Sequence, residues 1–163
     1  MKVNKKRRIS GKTDYAARKS LLKSGKARIV IRKTNKYILI QYVKSFEAKD
    51  KIILGVSSYD LIKRGWPKEA SGSLKSISAA YLTGYLAGKE IQAKEKKPEA
   101  IVDLGLYRNI HGSRLHAAVK GLIDAGIELN ANAKAFPTDE KINGDAVNKI
   151  IKQNFDKIKG SIQ

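Results

Sequence analysis

From about residue 26 to residue 44 apolar residues alternate with polar and charged ones. That period of two predicts two strands, 26–33 and 36–44, joined by Thr34-Asn35. With a two-residue loop, Ile31 faces Ile38 and Ile29 faces Ile40 on a core-directed face. The opposite face then pairs Arg32 with Tyr37, Val30 with Leu39 and Arg28 with Gln41. The run Ile52–Val56 reads as a third strand buried on both sides, and Ala100–Leu104 as a fourth. Between them the pattern lengthens to a helical one over about 74–95. There Ala80, Gly84 and Gly88, and beside them Ala79, Thr83 and Ala87, form a stripe of small residues suited to close packing on a sheet. Ser113 caps a further helix, in which Leu115, Ala118, Val119 and Leu122 face inward and which Gly126 stops. His116, Lys120 and Asp124 make its polar stripe. A last amphipathic helix is expected at about 144–159, carrying Val147, Ile150, Ile151, Phe155 and Ile158.

Two segments stand apart. Residues 1–12 have no apolar period and read as a basic arm that orders on a partner. Thr13 is placed to cap a short helix that Gly25 stops, too short to be stable by itself. The fold class is therefore α/β: a mixed sheet that opens with an antiparallel hairpin, helices packed on it, and parallel connections where helices intervene. The expected division is 1–25 for the basic arm and short helix, 26–130 for the α/β core, and 131–163 for a C-terminal extension with a terminal helix.

Charge gives the strongest functional signal. The 163 residues carry a net charge of +19, with a pI near 10.1. Residues 1–51 hold +14 of it, against +3 for 52–110 and +2 for 111–163. So one-sided an excess, interleaved with Tyr15, Tyr37 and Tyr42, points to a polyanion, with nucleic acid ahead of membrane. No apolar run approaches the ~18 residues of a membrane-spanning helix. The basic start lacks a signal sequence's apolar stretch, and the absence of cysteine excludes disulfides and thiolate metal sites. A cytoplasmic protein is expected.

Catalytic patterns are wanting. Gly84–Lys89 is one residue short of a phosphate loop, and Glu90 stands where Ser or Thr should follow the lysine. Ser24-Gly25-Lys26 ends a helix instead of starting one. His111 and His116 have no acidic companions, so neither metal nor cofactor is implied, and Ser113 lacks an oriented base. Asp60, Asp103 and Asp124 are the candidates for a metal-dependent nuclease, the leading alternative function; a basic DNA-architectural protein is another. The loop Tyr107–Arg114 does carry a binding signal. It runs from a strand to a helix start, with Arg108 and Arg114 flanking Gly112, and is suited to phosphate.

Several segments occur in a telling order: Gly11-Lys12-Thr13-Asp14-Tyr15, Leu21-Leu22-Lys23-Ser24-Gly25-Lys26, Thr34-Asn35, Ala79-Ala80-Tyr81-Leu82-Thr83-Gly84 and Gly112-Ser113-Arg114. Together, over about residues 5–145, they resemble the large-subunit ribosomal protein L-eighteen family in its archaeal and eukaryotic form. The resemblance implies a non-catalytic protein with a ribonuclease-H-like arrangement. It implies binding to 5S rRNA, attachment of that RNA to the large-subunit rRNA in the central protuberance, and neighbouring large-subunit proteins as further partners. Charge, strand face and resemblance together nominate as RNA contacts Lys5, Lys6, Arg7, Arg8, Lys12, Thr13, Asp14, Tyr15, Arg18 and Lys19 in the arm and first helix. In the hairpin they nominate Lys26, Arg28, Arg32, Lys33, Asn35, Lys36, Tyr37 and Gln41, and in the later loop Arg108, His111, Gly112, Ser113 and Arg114. The connection 67–78 and the tail after 145 match the family poorly.

Overall fold

The computed structural model describes residues 5–96, 98–144 and 149–162. Four strands, β1 (Ala27–Lys33), β2 (Ile38–Phe46), β3 (Lys49–Ser57) and β4 (Ala100–Asp103), form one mixed sheet in the order β3-β2-β1-β4. β1, β2 and β3 are successively antiparallel, and β4 lies parallel to β1. The α/β class and the opening hairpin are as expected.

The hairpin register differs from the expected one by two. Ile31 pairs with Ile40, Ile29 with Tyr42 and Val30 with Gln41. The cause is the loop, which takes four residues instead of two. Thr34 closes it: its amide donates to the Tyr37 carbonyl at 2.8 Å, and its hydroxyl oxygen accepts from the Tyr37 amide at 2.9 Å. A shift of two preserves the side-chain alternation, so Ile29, Ile31, Ile38 and Ile40 remain on the core face and fully buried.

β3 corrects a second expectation. It is an edge strand and is mostly exposed, with Ile52 55% accessible. A bulge opposite Tyr42 and Val43 leaves Ile53 without a partner. Consecutive apolar residues therefore share a side, which explains the continuous apolar run.

The core-directed face of the sheet is covered by α3 (Ile77–Lys94) and α4 (Arg114–Asp124). Ser76 caps α3 through the Ala79 amide, and Ser113 caps α4 through the His116 amide. The small-residue stripe of α3 meets α4, not the sheet as expected. A Cβ on Gly84 would lie 2.1 Å from the Ala118 carbonyl oxygen, and one on Gly121 would lie 2.2 Å from that of Tyr81. Of the polar stripe of α4, only His116 is internal; Lys120 is half-buried and Asp124 is exposed. His116 is buried, Asp124 accepts from the Tyr81 hydroxyl at 2.8 Å, and Lys120 pairs with Asp139.

Asp139 belongs to α5 (Asp139–Asn143), a short helix not expected from the sequence, and α6 (Lys149–Ile162) follows. Ile151, Phe155, Ile158 and Ile162 of α6 join the core against α3, whereas Ile150 is exposed. Val147 lies outside the described residues.

Candidate nucleic-acid interface

The opposite face of the sheet carries the N-terminal segment. A single helical turn, α1 (Lys6–Ile9), precedes α2 (Tyr15–Lys23). Asp14, not Thr13, caps α2, accepting from the Ala16 and Ala17 amides at 2.9 and 3.1 Å. Thr13 is occupied differently, its hydroxyl accepting from Arg7 Nε at 2.9 Å. Lys5 Nζ sits 4.5 Å from the centre of the Tyr15 ring, a cation–π contact. Lys6, Arg8, Lys12 and Lys19 are exposed and have no carboxylate partner among the described residues. Neither α1 nor α2 contains a buried residue, so apolar burial contributes little to holding them on the sheet.

Polar contacts serve that end instead. Arg18 of α2 pairs with Asp50 of β3 at 2.8 Å, and Asp50 pairs in turn with Arg28 of β1 at 2.6 Å. Arg28 also reaches Asp103 of β4 at 3.2 Å, and Asp103 binds Arg32 at 2.9 Å. Five charges of alternating sign thus cross the sheet. Ser45 braces the chain by donating to Asp50 at 2.6 Å, and the Gly105 amide does the same for Asp103 at 2.8 Å. Gly105 has a φ of +67°, and a Cβ there would come within 2.9 Å of the Arg32 guanidinium carbon. Burial alone would raise the Asp50 carboxyl pKa. The bonds from Ser45 and Arg28, with the charges of Arg28 and Arg18, outweigh that effect and hold it below the usual carboxylate range.

This network corrects the outward-face reading of Arg28. Its strand position does alternate away from the apolar core, but the side chain is only 4% exposed and both terminal nitrogens are engaged by carboxylates. It holds three strands together and is not free to meet a phosphate. Arg32 is intermediate, 35% exposed, and also donates to the Asp103 and Ile31 carbonyls.

Between the arm and the sheet lies a groove of about 740 Å³. Among its walls are Arg7, Lys12, Arg18, Arg32 and Gln41, nominated from distant parts of the sequence. Thr13, Asp14 and Arg28 line it too, whereas the hairpin-tip and later-loop nominees do not. Lys26 pairs with Glu99 at 3.1 Å, and Asn35, Lys36 and Tyr37 are exposed at the hairpin tip. Lys33 lies over the ring of Tyr107, whose hydroxyl donates to the Lys33 carbonyl.

In the later loop, Arg108 and His111 are exposed and Arg114 is half-buried. Two amides of this phosphate-suited loop are already engaged within the protein. Gly112 donates to the Ala135 carbonyl at 2.9 Å and Ser113 to that of Ile110 at 3.3 Å. The Ser113 hydroxyl lies 2.8 Å from His116 Nδ1. Burial, as the largest cause, keeps the His116 pKa below the ordinary histidine value; the nearby His111 adds to this and the Ile110 carbonyl opposes it.

Asp50, Ser45 and Asp103 are the participants that sequence reasoning missed. Only Asp103 offered a signal, as an acid closing a strand otherwise apolar. The three acids considered for a nuclease are engaged separately: Asp60 accepts from the Ser57 amide, Asp103 holds two arginines, and Asp124 holds Tyr81. Among the described residues no three His, Asp or Glu come together as a metal set. No helix among those residues is long and apolar enough to cross a membrane.

Fold and charge together describe a basic α/β nucleic-acid-binding protein with its cations gathered on an N-terminal arm and one sheet face. The chain belongs to the family of ribosomal large subunit proteins 60S L5 and 50S L18, whose model matches residues 1–99. It is 42% identical over 146 residues to the large ribosomal subunit protein uL18 of Korarchaeum cryptofilum, covering 90% of this chain and 72% of that one. It is 37% identical over 142 residues to the uL18 of Methanothermobacter thermautotrophicus, covering 87% and 71%. With the uL18 of Methanothrix thermoacetophila the identity is 39% over 142 residues, covering 87% and 81%. For the uL18 of Aeropyrum pernix, 41% identical, the alignment covers only 64% of the relative. The family is one of structural ribosomal proteins, so the chain is not an enzyme, and the nuclease alternative is not supported.

Proposed function

We propose that this protein is a structural constituent of the cytoplasmic large ribosomal subunit that binds 5S rRNA and helps anchor it to the large-subunit rRNA in the central protuberance. Family membership supports the ribosomal setting. The observation that carries the RNA-binding reading is the set of unpaired cations on the arm, Lys6, Arg8, Lys12 and Lys19, next to a sheet whose own charges are largely neutralised. Phosphates attract the arm, while the sheet fixes where it starts. In this reading residues 1–25 are an RNA-seeking arm, 26–130 the core that sets its position, and 131–163 an extension. Lys36, Tyr37 and Arg108 add contacts at the rim, where exposed bases can stack and phosphates can pair.

Hydroxyl-radical footprinting of 5S rRNA with the purified protein tests this. A continuous protected patch that shrinks when residues 1–12 are removed is the expected result. An unprotected 5S rRNA would sink the proposal.

A further inference from the structure

The β2–β3 hairpin runs beyond the end of the helix layer. Past Tyr42, which is buried, the core-side positions of these strands are Lys44 and Phe46 on β2, and Lys49 and Lys51 on β3. Lys44 faces Lys51 directly, and Phe46 faces Lys49. Like charges placed opposite each other on paired strands disfavour the free protein. Lys44 is relieved by Glu95, but Lys49 and Lys51 have no acidic partner among the described residues. Phe46 is 78% exposed, more than any other large apolar side chain described.

The tip is also tightly turned. It turns through Glu47 and Ala48, both with positive φ (48° and 62°), as the two-residue turn of a twisted hairpin requires. Neither residue is a glycine, so the turn carries backbone strain, a feature that gathers at functional sites. The other face of the tip is tied down: Ser45 donates to Asp50, and Arg28 holds both. In the cleft beside the hairpin base, about 570 Å³, Glu95 and Glu99 pair with Lys44 and Lys26, so its wall charges are matched, whereas, among the described residues, Lys49 and Lys51 at the tip are not.

We infer that this tip is a second RNA-binding site, at which Phe46 stacks on an unpaired base while Lys49 and Lys51 contact the flanking phosphates. An aromatic face between cations suits an unstacked nucleotide. The site sits next to the arm, because Asp50 of the tip is the residue that Arg18 of α2 holds. Its RNA is therefore the one the arm binds, taken here as 5S rRNA, and in that respect the inference rests on the proposed function.

The test is filter binding of 5S rRNA to the full chain, with circular dichroism to verify folding of each variant. Phe46→Ala is expected to lower affinity about 5- to 150-fold with an unchanged salt slope. Phe46→Tyr is expected to bind like the parent, and Phe46→Leu, apolar but unable to stack, to lose affinity as Ala does. Lys49→Gln with Lys51→Gln is expected to reduce the slope of log affinity against log salt by about 1.5. If Phe46→Ala binds as tightly as the parent while deletion of residues 1–12 weakens binding, the tip site is refuted and the RNA-binding function survives. Equal binding by Phe46→Leu and Phe46→Tyr overturns the stacking role. If the parent chain itself fails to bind 5S rRNA, the function and this site fall together.

Discussion

Replacing Arg28 by Gln removes the centre of the five-charge chain. The side chain is 4% exposed, and its partners Asp103 and Asp50 are 11% and 28% exposed. Breaking a buried ion network by deleting one member costs about 3–5 kcal/mol, because the remaining charges stay buried and unpaired. Asp50 is the more accessible partner and keeps Arg18, so the lower end, about 3 kcal/mol, applies. For a chain of this size that corresponds to a fall in Tm of roughly 6–12 °C. Trp66, buried with its indole N–H bonded to the Ala70 carbonyl at 3.0 Å, gives a fluorescence signal for urea or thermal unfolding. Arg18→Gln is the control. It breaks a half-exposed pair and should cost less than about 1 kcal/mol. Combining Arg28→Met with Asp50→Asn and Asp103→Asn should restore much of the loss, since the arginines then left without carboxylates, Arg18 and Arg32, are part-exposed and not buried. An Arg28→Gln protein within about 0.5 kcal/mol of the parent would mean that the charge network contributes little to stability. It would return Arg28 to the pool of RNA-facing cations.

Gly84→Ala should destabilise by at least about 1–3 kcal/mol in denaturant titrations, because its Cβ meets the backbone of α4, and a neutral result would contradict the close crossing. Asp14→Ala should reduce α2 helicity by circular dichroism at little cost to the global unfolding midpoint, since α2 buries nothing. His116 binds its proton less readily folded than unfolded, so its contribution is present above the unfolded value of about 6.5 and is lost as pH falls through the lower folded value. Thermal midpoints should therefore decline as pH falls from about 6.5 towards the lower folded value, and His116→Gln should flatten that decline. Amide relaxation of the free protein should show low order parameters for residues 5–12, rising when 5S rRNA is added; a rigid arm before addition would contradict the proposed role.

How much of this was legible depends on the range of the interaction. The alternation at Ile29, Ile31, Ile38 and Ile40 located the core face, and the inward positions of α4 were visible in Leu115, Ala118, Val119 and Leu122. Register was not visible, because it depends on how Thr34 closes a four-residue loop. The β2–β3 turn was hidden for a related reason: Glu47-Ala48 lacks the Asn-Gly or Gly chemistry that announces two positive φ values. The helix stripe was correctly read as packing, yet its partner, α4 and not the sheet, is a matter of tertiary arrangement. At the site, the local charges of the arm could be counted, but the burial of Arg28 could not. Its neutralising acids come from residues 50 and 103, brought together only by the sheet order.

In the proposed function, arm cations set beside a neutralised sheet face bind the phosphates of 5S rRNA. The most direct measurement is the affinity for 5S rRNA between about 50 and 200 mM salt, for the whole chain and for one lacking residues 1–12. Neutralising some six to ten phosphates would make affinity fall by about 10³- to 10⁵-fold across that range, on the duplex-DNA relation as a guide. Such a steep line is expected for the whole chain and a clearly shallower one for the shortened chain, with both proteins folded. Lines of equal slope, or binding indifferent to salt, would contradict it.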